Sequence, residues 1–245
     1  MSDMRFDFSG QSILVTGASS GIGWAVTQQL LAAGAHVYAM GRAAEALQTL
    51  AGQGCTVLPV DLADSAALSA SLAGLPVLHG LVNCAGIALL EAADAFSVAG
   101  FDQVMAVNVR AAAMVAAAVA KGMIAAGVAG SIVNVSSQAA LVGLDDHLSY
   151  CASKAALDAM TRVQCVEWGR HGIRVNSVNP TVTLTPMAIL AWSDPAKRGP
   201  ALAGIPLGRF AETDEVAAPI LFLLSSAASM ISGVSLPIDG GFTSR

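Results

Sequence analysis

The architecture of this chain follows from Ser12-Ile13-Leu14-Val15-Thr16-Gly17-Ala18-Ser19-Ser20-Gly21-Ile22-Gly23, where a short apolar run leads directly into a glycine-rich turn. The run predicts a buried β-strand, and the Ala- and Leu-rich residues that follow predict a helix ending at Gly34. Glycines allow the backbone to turn sharply and a pyrophosphate to approach it closely. The helix would present free N–H groups and the positive end of its dipole to that anion. The spacing is GxxxGxG, and its place between strand and helix indicates a phosphate-binding turn.

The rest of the chain alternates short β-branched runs with longer Ala- and Leu-rich runs. Strands that are apolar on both faces and separated by helices indicate a parallel sheet covered by helices on both sides. We therefore predict an α/β fold over residues 1–245, a single-domain Rossmann-type doubly wound parallel sheet of about seven strands. The predicted strands are 12–16, 36–40, 55–60, 78–82, 131–135, 173–178 and 234–237, and the predicted helices are 24–33, 43–51, 65–73, 107–126, 150–168 and 213–224.

Residues 180–206 are the least regular part of the sequence, with a proline at each end and three more between them. The segment is long for a connection inside a compact domain. Such loops are often lids or binding segments, so we predict a substrate loop there.

Composition excludes several functions. Hydrophobic residues make up 55% of the chain, and the net charge of −5 comes without a Lys/Arg cluster, which argues against a nucleic-acid partner. The longest strongly apolar stretch, 111–120, is too short to cross a bilayer, and residues 1–10 carry no signal core, so we expect a cytoplasmic protein without a membrane partner. Neither the four scattered cysteines nor the four histidines have metal-binding spacing, and we expect no metal.

Ligands of an open α/β sheet bind beyond the carboxyl ends of its strands. Residues suited to binding or catalysis follow six of the predicted strands, and they converge on one edge and hence on one site. They are Gly17, Arg42, Asp61, Asn83, Ser137 and Asn179.

The residue after the second strand indicates which dinucleotide binds. An NAD-binding protein usually carries an acid there, which accepts hydrogen bonds from the ribose hydroxyls. Here Arg42 stands in that place, and its guanidinium would pair with a 2′-phosphate. The sequence therefore favours NADP(H), with NAD(H) left possible. Asp61, which is followed by Leu62, could accept a hydrogen bond from the adenine amino group.

The sequence Tyr150-Cys151-Ala152-Ser153-Lys154 places a phenol and an amine one helical turn apart, on the same face. A free phenol titrates near ~10, and a neighbouring cation favours the phenolate. Such a pair could exchange a proton with an alcohol near neutral pH.

Together these motifs resemble the short-chain dehydrogenase/reductase family over essentially the whole chain, and within it the dicarbonyl/L-xylulose reductases. The motifs are Thr16-Gly17-x-x-x-Gly21-x-Gly23, Asn83-Cys84-Ala85-Gly86, Asn108, Ser137, Tyr150-x-x-x-Lys154, Asn179-Pro180 and Asp239-Gly240-Gly241; the subgroup is indicated by Ser136-Ser137-Gln138, Tyr150-Cys151, Trp192-Ser193-Asp194-Pro195 and residues 205–212. The chain departs from the family at Cys84, where asparagine is usual, and at Ser20, where many NADP-dependent members carry a basic residue.

The resemblance implies an enzyme in which Tyr150 is the general acid of reduction and the base of oxidation. Lys154 would tune that phenol and bind the nicotinamide ribose, Ser137 would hold the substrate oxygen, and Asn108 would help place a proton-relaying water. Val182 and Thr185 would fix the carboxamide. The full set of implied cofactor-binding residues is Gly17, Ser19, Ser20, Gly21, Ile22, Gly23, Arg42, Asp61, Leu62, Asn83, Ala85, Gly86, Tyr150, Lys154, Pro180, Val182 and Thr185.

Four further residues are candidates for the substrate pocket beside Ser137. Gln138 and His147 could hydrogen-bond hydroxyl groups, while Leu144 and Trp192 would supply apolar walls. Such a pocket favours a small polyhydroxy ketone and would also accept α-dicarbonyls, giving a reaction of the L-xylulose/xylitol type.

Three other functions stay open: an NAD-linked polyol or sugar dehydrogenase, a 3-oxoacyl reductase and a non-enzymatic cofactor sensor. The second would need a basic patch for an acidic carrier protein, which the sequence does not show. The third would usually lose the proton-transfer residues, all of which are present. The low charged fraction, 12%, and the family resemblance indicate a homotetramer formed through 107–126, 150–168 and 234–245.

Overall fold

The computed structural model describes residues 6–191 and 193–244. Within them one sheet of seven parallel strands has the order β3-β2-β1-β4-β5-β6-β7, which confirms the doubly wound fold class. The strands are β1 (Ser12–Thr16), β2 (His36–Gly41), β3 (Thr56–Pro59), β4 (Gly80–Asn83), β5 (Ser131–Val135), β6 (Arg174–Pro180) and β7 (Ser235–Ile238). The strand order reverses between β1 and β4, and ligands of such sheets bind in the crevice at that reversal.

Helices cover both faces of the sheet. They are α1 (Gly21–Ala32), α2 (Ala44–Gly52), α3 (Ser65–Ala73), α4 (Val98–Met105), α5 (Ala112–Ala126), α6 (Leu148–Trp168), α7 (Pro186–Ala191), α8 (Pro195–Ala203) and α9 (Thr213–Leu224). A π-helical turn, Ala106–Ala111, joins α4 to α5.

Alternating side chains of the strands divide the interior into two cores. In β1, Ile13 and Val15 belong to the core beneath α1, α2 and α9, whereas Leu14 belongs to the core beneath α3 and α5. All three are fully buried, as expected for a strand with helices on both sides.

The predicted strands all lie within about two residues of the observed ones, but two segments differ. Helix α4 was not predicted, because Gly100 interrupts its apolar pattern; its start is marked by Ser97, whose side chain accepts a hydrogen bond from the N–H of Gly100. Residues 180–206 hold two short helices rather than an irregular loop. Pro186 and Pro195 begin these helices, since proline fits the first helical turn.

The helical run Val98–Ala126 is longer than the apolar stretch noted in the sequence. By length and composition alone it could cross a membrane, so the short length of residues 111–120 does not by itself exclude this. Its position explains its composition, because α5 lies between β4 and β5 along the chain and buries Val115, Val119 and Met123 in a core of the protein.

Candidate active site

The glycine-rich turn contacts two other segments at the carboxyl edge of the sheet. Gly17 has a φ of +68°, and a Cβ there would lie 2.9 Å from the backbone of Ala85. Gly21 has a φ of +54°, and a Cβ there would lie 2.8 Å from Cγ2 of Thr185. A Cβ at Gly23 would collide with the carbonyl of Gly17. Gly17 and Gly21 therefore bring the turn against the β4 loop and the start of the 180–206 segment, and Gly23 lets the turn close on itself.

The amino end of α1 is open to an anion. Ser20, its N-cap residue, is exposed and makes no side-chain capping bond, and the first turn holds no acidic residue. By contrast, the side chains of Asp64 and Asp194 cap α3 and α8. Uncapped N–H groups at a helix start are suited to phosphate, so this end of α1 fits the pyrophosphate of a dinucleotide. Ser19 lies beside the end of β2, where a Cβ at Gly41 would be 3.1 Å from its Oγ.

Arg42 and Asp61 lie at the same edge of the sheet, as the sequence suggested, and the two side chains are paired with each other. Arg42 Nη1 lies 3.6 Å from Asp61 Oδ2, and the side chains are 65% and 50% exposed. An ion pair this exposed is weak, so an arriving phosphate could compete for the guanidinium. Arg110, which sequence reasoning missed, donates from Nη2 to the carbonyl of Ala63 at 2.8 Å and holds this loop in place. The neighbouring Leu62 is buried in the core.

The side chain of Asn83 is committed to the protein interior. Its Nδ2 donates to the carbonyl of Ala112 at 3.2 Å and to Asn134 Oδ1 at 2.9 Å, which links β4 to α5 and β5. A contact between Asn83 and a cofactor therefore has to come from its main chain. The next residues are fixed by Thr16, whose Oγ1 accepts hydrogen bonds from the backbone N–H groups of Cys84 and Ala85.

Cys84, where the family usually has asparagine, is not a competing nucleophile. Burial raises the pKa of its thiol to about 12, against the opposing effect of the Lys154 ammonium. The thiol therefore stays protonated at neutral pH. Gly86 follows closely, and a Cβ there would lie 3.4 Å from both Asn108 Oδ1 and Lys154 Nζ, so this loop passes directly beside these two side chains.

Tyr150 and Lys154 share one face of α6, as their spacing predicted. The Nζ of Lys154 lies 5.6 Å from the centroid of the Tyr150 ring and donates a hydrogen bond of 2.8 Å to the carbonyl of Val135. Lys154 is buried, and Ser136 Oγ donates to its carbonyl at 3.1 Å. The ammonium is therefore held in a fixed position near the phenol.

Ser137 follows β5 with its hydroxyl proton free for a ligand. Its Oγ accepts a 3.1 Å hydrogen bond from the N–H of Ala139, and this bond starts a 3₁₀ turn over Gln138–Ala140. Because the hydroxyl acts as an acceptor there, its proton remains available as a donor to a substrate oxygen.

Asn108 lies in the π-helical turn, and its side chain is fully used. Oδ1 accepts from the N–H of Ile87 at 2.8 Å, while Nδ2 donates to the carbonyl of Ile87 and to Ser153 Oγ. If Asn108 helps to place a water, as expected, that contact has to come from its main chain. π-helical turns are frequent at functional sites.

The candidate substrate residues lie on the 3₁₀ turn and on the loop that leads into α6. Gln138 is buried, and its Oε1 has no hydrogen-bond partner among the described residues. The ring of His147 lies 6.0 Å from that of Tyr150, and its Nδ1 contacts the carbonyl of Asp145. Leu144 is half-buried and accepts from the N–H of His147. Trp192 lies outside the described residues.

The segment after β6 completes the edge. Pro180 is buried and ends β6, and the carbonyl of Val182 accepts from the N–H of Ala211 at 3.0 Å. Thr185 Oγ1 accepts from the N–H of Ala188 and so caps α7, while its methyl group faces Gly21. An isolated parallel β-bridge also joins the backbone of Glu91 to that of His147 and fixes the loop beside Tyr150. The sequence contains no indication of this bridge.

Comparison with known proteins agrees with this arrangement. A family model described as enoyl-(acyl carrier protein) reductase matches residues 17–243. L-xylulose reductase of Bos taurus is 47% identical and covers 98% of this chain and 99% of its own length. D-erythrulose reductase of Gallus gallus is 46% identical, with 96% of each chain covered. D-threitol dehydrogenase of Mycolicibacterium smegmatis is 42% identical, with 98% of this chain and 96% of the relative covered.

Solved structures give the same result. A short-chain dehydrogenase/reductase family protein superposes with a TM-score of 0.91 at 38% identity, covering 99% of this chain and 100% of the other. A protein described as a 2-deoxy-D-gluconate 3-dehydrogenase from Agrobacterium tumefaciens, with bound NADP, gives 0.91 at 34% identity, covering 98% and 99%. With the glycine-rich turn, the Tyr150–Lys154 pair and these relatives together, the chain belongs to the short-chain dehydrogenase/reductase family.

Proposed function

We propose that the protein is an NADP(H)-dependent oxidoreductase that interconverts a small ketose or α-dicarbonyl with its alcohol, as in the L-xylulose/xylitol pair. The single observation that carries this proposal is the Tyr150–Lys154 pair, in which the ammonium lies 5.6 Å from the centroid of the phenol ring and beside Gly86 of the β4 loop. The relatives named as reductases or dehydrogenases of four- and five-carbon sugars and polyols support the substrate class.

The residues present fit a dinucleotide. A Cβ at Gly17 or Gly21 would collide with the chain next to the turn, so the glycines keep the turn in its tight shape, and the start of α1 is left uncapped. Arg42 would take the 2′-phosphate, and Gly86, Val182 and Thr185 would bind the nicotinamide half. The reduced cofactor, when bound, supplies the hydride that reaches the carbonyl carbon.

The chain's own residues would control the oxygen of that carbonyl. Ser137 donates a hydrogen bond to it and stabilises the negative charge that develops there. Tyr150 gives its phenolic proton to the oxygen in reduction and takes the proton back in oxidation. The fixed ammonium of Lys154 favours the phenolate that remains. Asn108 joins Ile87 to Ser153 and thereby holds the β4 loop against α6.

The pocket favours a substrate with hydroxyl groups next to its carbonyl. The carboxamide oxygen of Gln138 is buried and unpartnered among the described residues, so a substrate hydroxyl could donate to it. The ring of His147 lies 6.0 Å from that of Tyr150, and His147 could bind a second hydroxyl.

The test is a panel of L-xylulose, diacetyl, xylitol, arabinitol and sorbitol, each assayed with both nicotinamide cofactors by absorbance at 340 nm. We expect the greatest kcat/KM for a small ketose or dicarbonyl with NADPH. An absorbance that stays constant with every substrate would refute the proposal and favour a cofactor sensor. Activity mainly on a 3-oxoacyl thioester, added as a control substrate, would favour the reductase of lipid synthesis.

An NAD-linked polyol dehydrogenase is the second candidate, because Asp61 already pairs with Arg42 and so reduces its attraction for a 2′-phosphate. In the same panel this candidate predicts the greatest kcat/KM for a polyol with NAD.

We also propose a homotetramer. The outer face of α6 carries Ala155, Ala159, Val163 and Val166, and the two valines are 56% and 81% exposed. An apolar stripe of this kind on a long helix favours burial against a second copy. Analytical ultracentrifugation that finds only a 24.6 kDa species would refute the assembly.

A further inference from the structure

The backbone of Ser137 is held by a buried side-chain network from two other elements. Nδ2 of Asn179, the penultimate residue of β6, donates to the carbonyl of Ser137 at 3.0 Å and to Oδ2 of Asp158 at 2.8 Å. Asn179 is fully buried and Asp158 is 4% exposed. Both hydrogens of the carboxamide are thus used, one on each partner.

Asp158 connects this network to the proton-transfer residues. It lies on α6 one turn beyond Lys154 and two turns beyond Tyr150, so the three share a face of the helix. The helix that carries Tyr150 is therefore joined through Asn179 to the strand end that carries Ser137. Ser136, the residue before Ser137, is bound to the same helix, because its Oγ donates to the carbonyl of Lys154.

Stability alone does not account for the network. Asp158 Oδ1 and Asn179 Oδ1 are buried, and neither has a hydrogen-bond partner among the described residues. Burying polar atoms without partners is unfavourable, and apolar residues of similar volume often replace buried polar pairs without loss. The network does have a defined geometric effect, because it fixes the backbone carbonyl of Ser137 relative to α6.

We infer that Asp158 and Asn179 are positioning residues, which set the placement of the Ser137 hydroxyl relative to the Tyr150 phenol. This inference rests on the proposed role of Ser137 in binding the substrate oxygen. Both hydroxyls must reach one oxygen atom, and a displacement of about 1 Å in such a site lowers turnover by up to ~10²-fold. Asp158 touches neither substrate nor cofactor in this arrangement; it acts through Asn179 and Ser137.

The experiment compares Asp158→Leu, which removes the acceptor but keeps the volume, with Asp158→Asn, whose amide oxygen can still accept from Asn179. Thr161→Val is the matched control. Thr161 lies on the same helix, is equally buried and accepts a 2.9 Å bond from Asn134 of β5, but has no bond to Ser137. Each variant is assayed for kcat, for NADPH affinity by fluorescence and for thermal unfolding, with Asp158→Ala as a second variant should the leucine prevent folding.

We expect Asp158→Leu to lower kcat by about 10- to 100-fold while the NADPH dissociation constant changes less than about threefold. Asp158→Asn should restore most of the turnover. Thr161→Val should reduce the unfolding temperature without a comparable fall in kcat. A purely structural role predicts instead that kcat is parental in every folded variant, and that result would overturn the inference.

A double-mutant cycle separates this inference from the proposed function. If Asp158 acts through Ser137, Asp158→Leu should lower kcat by no more than about twofold when Ser137 is already alanine. The same 10- to 100-fold loss in both backgrounds would show that Asp158 does not act through Ser137. Parental turnover by Ser137→Ala alone would instead reject the proposed role of Ser137, and the inference would fall with it.

Discussion

The contact between Gly21 and Thr185 gives a prediction that can be worked out from the structure. Gly21→Ala adds a Cβ at a φ of +54°, 2.8 Å from Thr185 Cγ2 and 3.3 Å from Thr185 Cβ. The left-handed backbone alone costs an alanine about 1–2 kcal/mol, and crowding in a packed site adds about 1–3 kcal/mol. The sum is about 2–5 kcal/mol, because the methyl group meets another methyl group that is fixed by the start of α7.

Two further variants separate these terms. Gly10→Ala adds a Cβ at a similar φ of +76° with no atom within 4 Å, so it should lose only the backbone term. Thr185→Ser removes Cγ2 but keeps the hydroxyl that caps α7, so in the Gly21→Ala background it should recover about 1–3 kcal/mol.

The assay is urea unfolding monitored by circular dichroism, together with NADPH titration by fluorescence. We expect Gly21→Ala to weaken NADPH binding by at least tenfold, because crowding against Thr185 would displace the turn that is proposed to bind the pyrophosphate. If Gly21→Ala is no more destabilising than Gly10→Ala, or if Thr185→Ser recovers nothing, the turn and the α7 segment are not in contact and the reasoning fails.

Three other predictions concern chemistry and charge. Tyr150→Phe should lower kcat by about 10²- to 10⁴-fold with NADPH affinity nearly unchanged, as measured by steady-state kinetics and fluorescence; parental turnover would reject the proposed proton transfer. Arg42→Asp should shift the ratio of kcat/KM values from NADPH toward NADH, and an unchanged ratio would reject the assignment of Arg42 to the 2′-phosphate. The hydrogen bonds from Arg209 hold the pKa of Glu215 at about 2, below its ordinary value of 4.5, so this pair stabilises the fold above pH 4.5 and its contribution is lost as the pH falls toward 2. Both side chains are largely exposed, so Glu215→Gln should reduce the loss of unfolding free energy between pH 4.5 and pH 2 by no more than about 1 kcal/mol, as measured in acid unfolding curves. A larger reduction would contradict this account of the pair.

The sequence was sufficient to predict the sheet and the edge where the site lies. Strands such as 12–16 and 131–135 are apolar on both faces and alternate along the chain with helical runs, and this pattern reflects burial on both sides of the sheet. The Tyr150–Lys154 pair was equally clear, because helical spacing alone places the two side chains on one face.

Other features depend on contacts between residues distant in sequence. The commitment of Asn83 to Asn134 and of Asn108 to Ile87 could not be inferred from either residue alone, since each asparagine has several possible partners. The hydrogen bond from Asn179 to Asp158 could not be inferred for the same reason, since its two residues are 21 positions apart in the sequence. The π-helical turn leaves no pattern in the alanine-rich sequence around it, and α4 was hidden because a glycine occupies its first turn.

The position of Thr185 has a kinetic consequence. Helix α7 starts from Thr185, whose methyl group lies against the glycine-rich turn, where the proposed dinucleotide would bind. A nucleotide bound there would fix the first residues of the 180–206 segment. The rest of the segment could then close over the smaller substrate. We therefore expect compulsory-order kinetics, in which the nucleotide enters first and departs last, and product-inhibition patterns should show it.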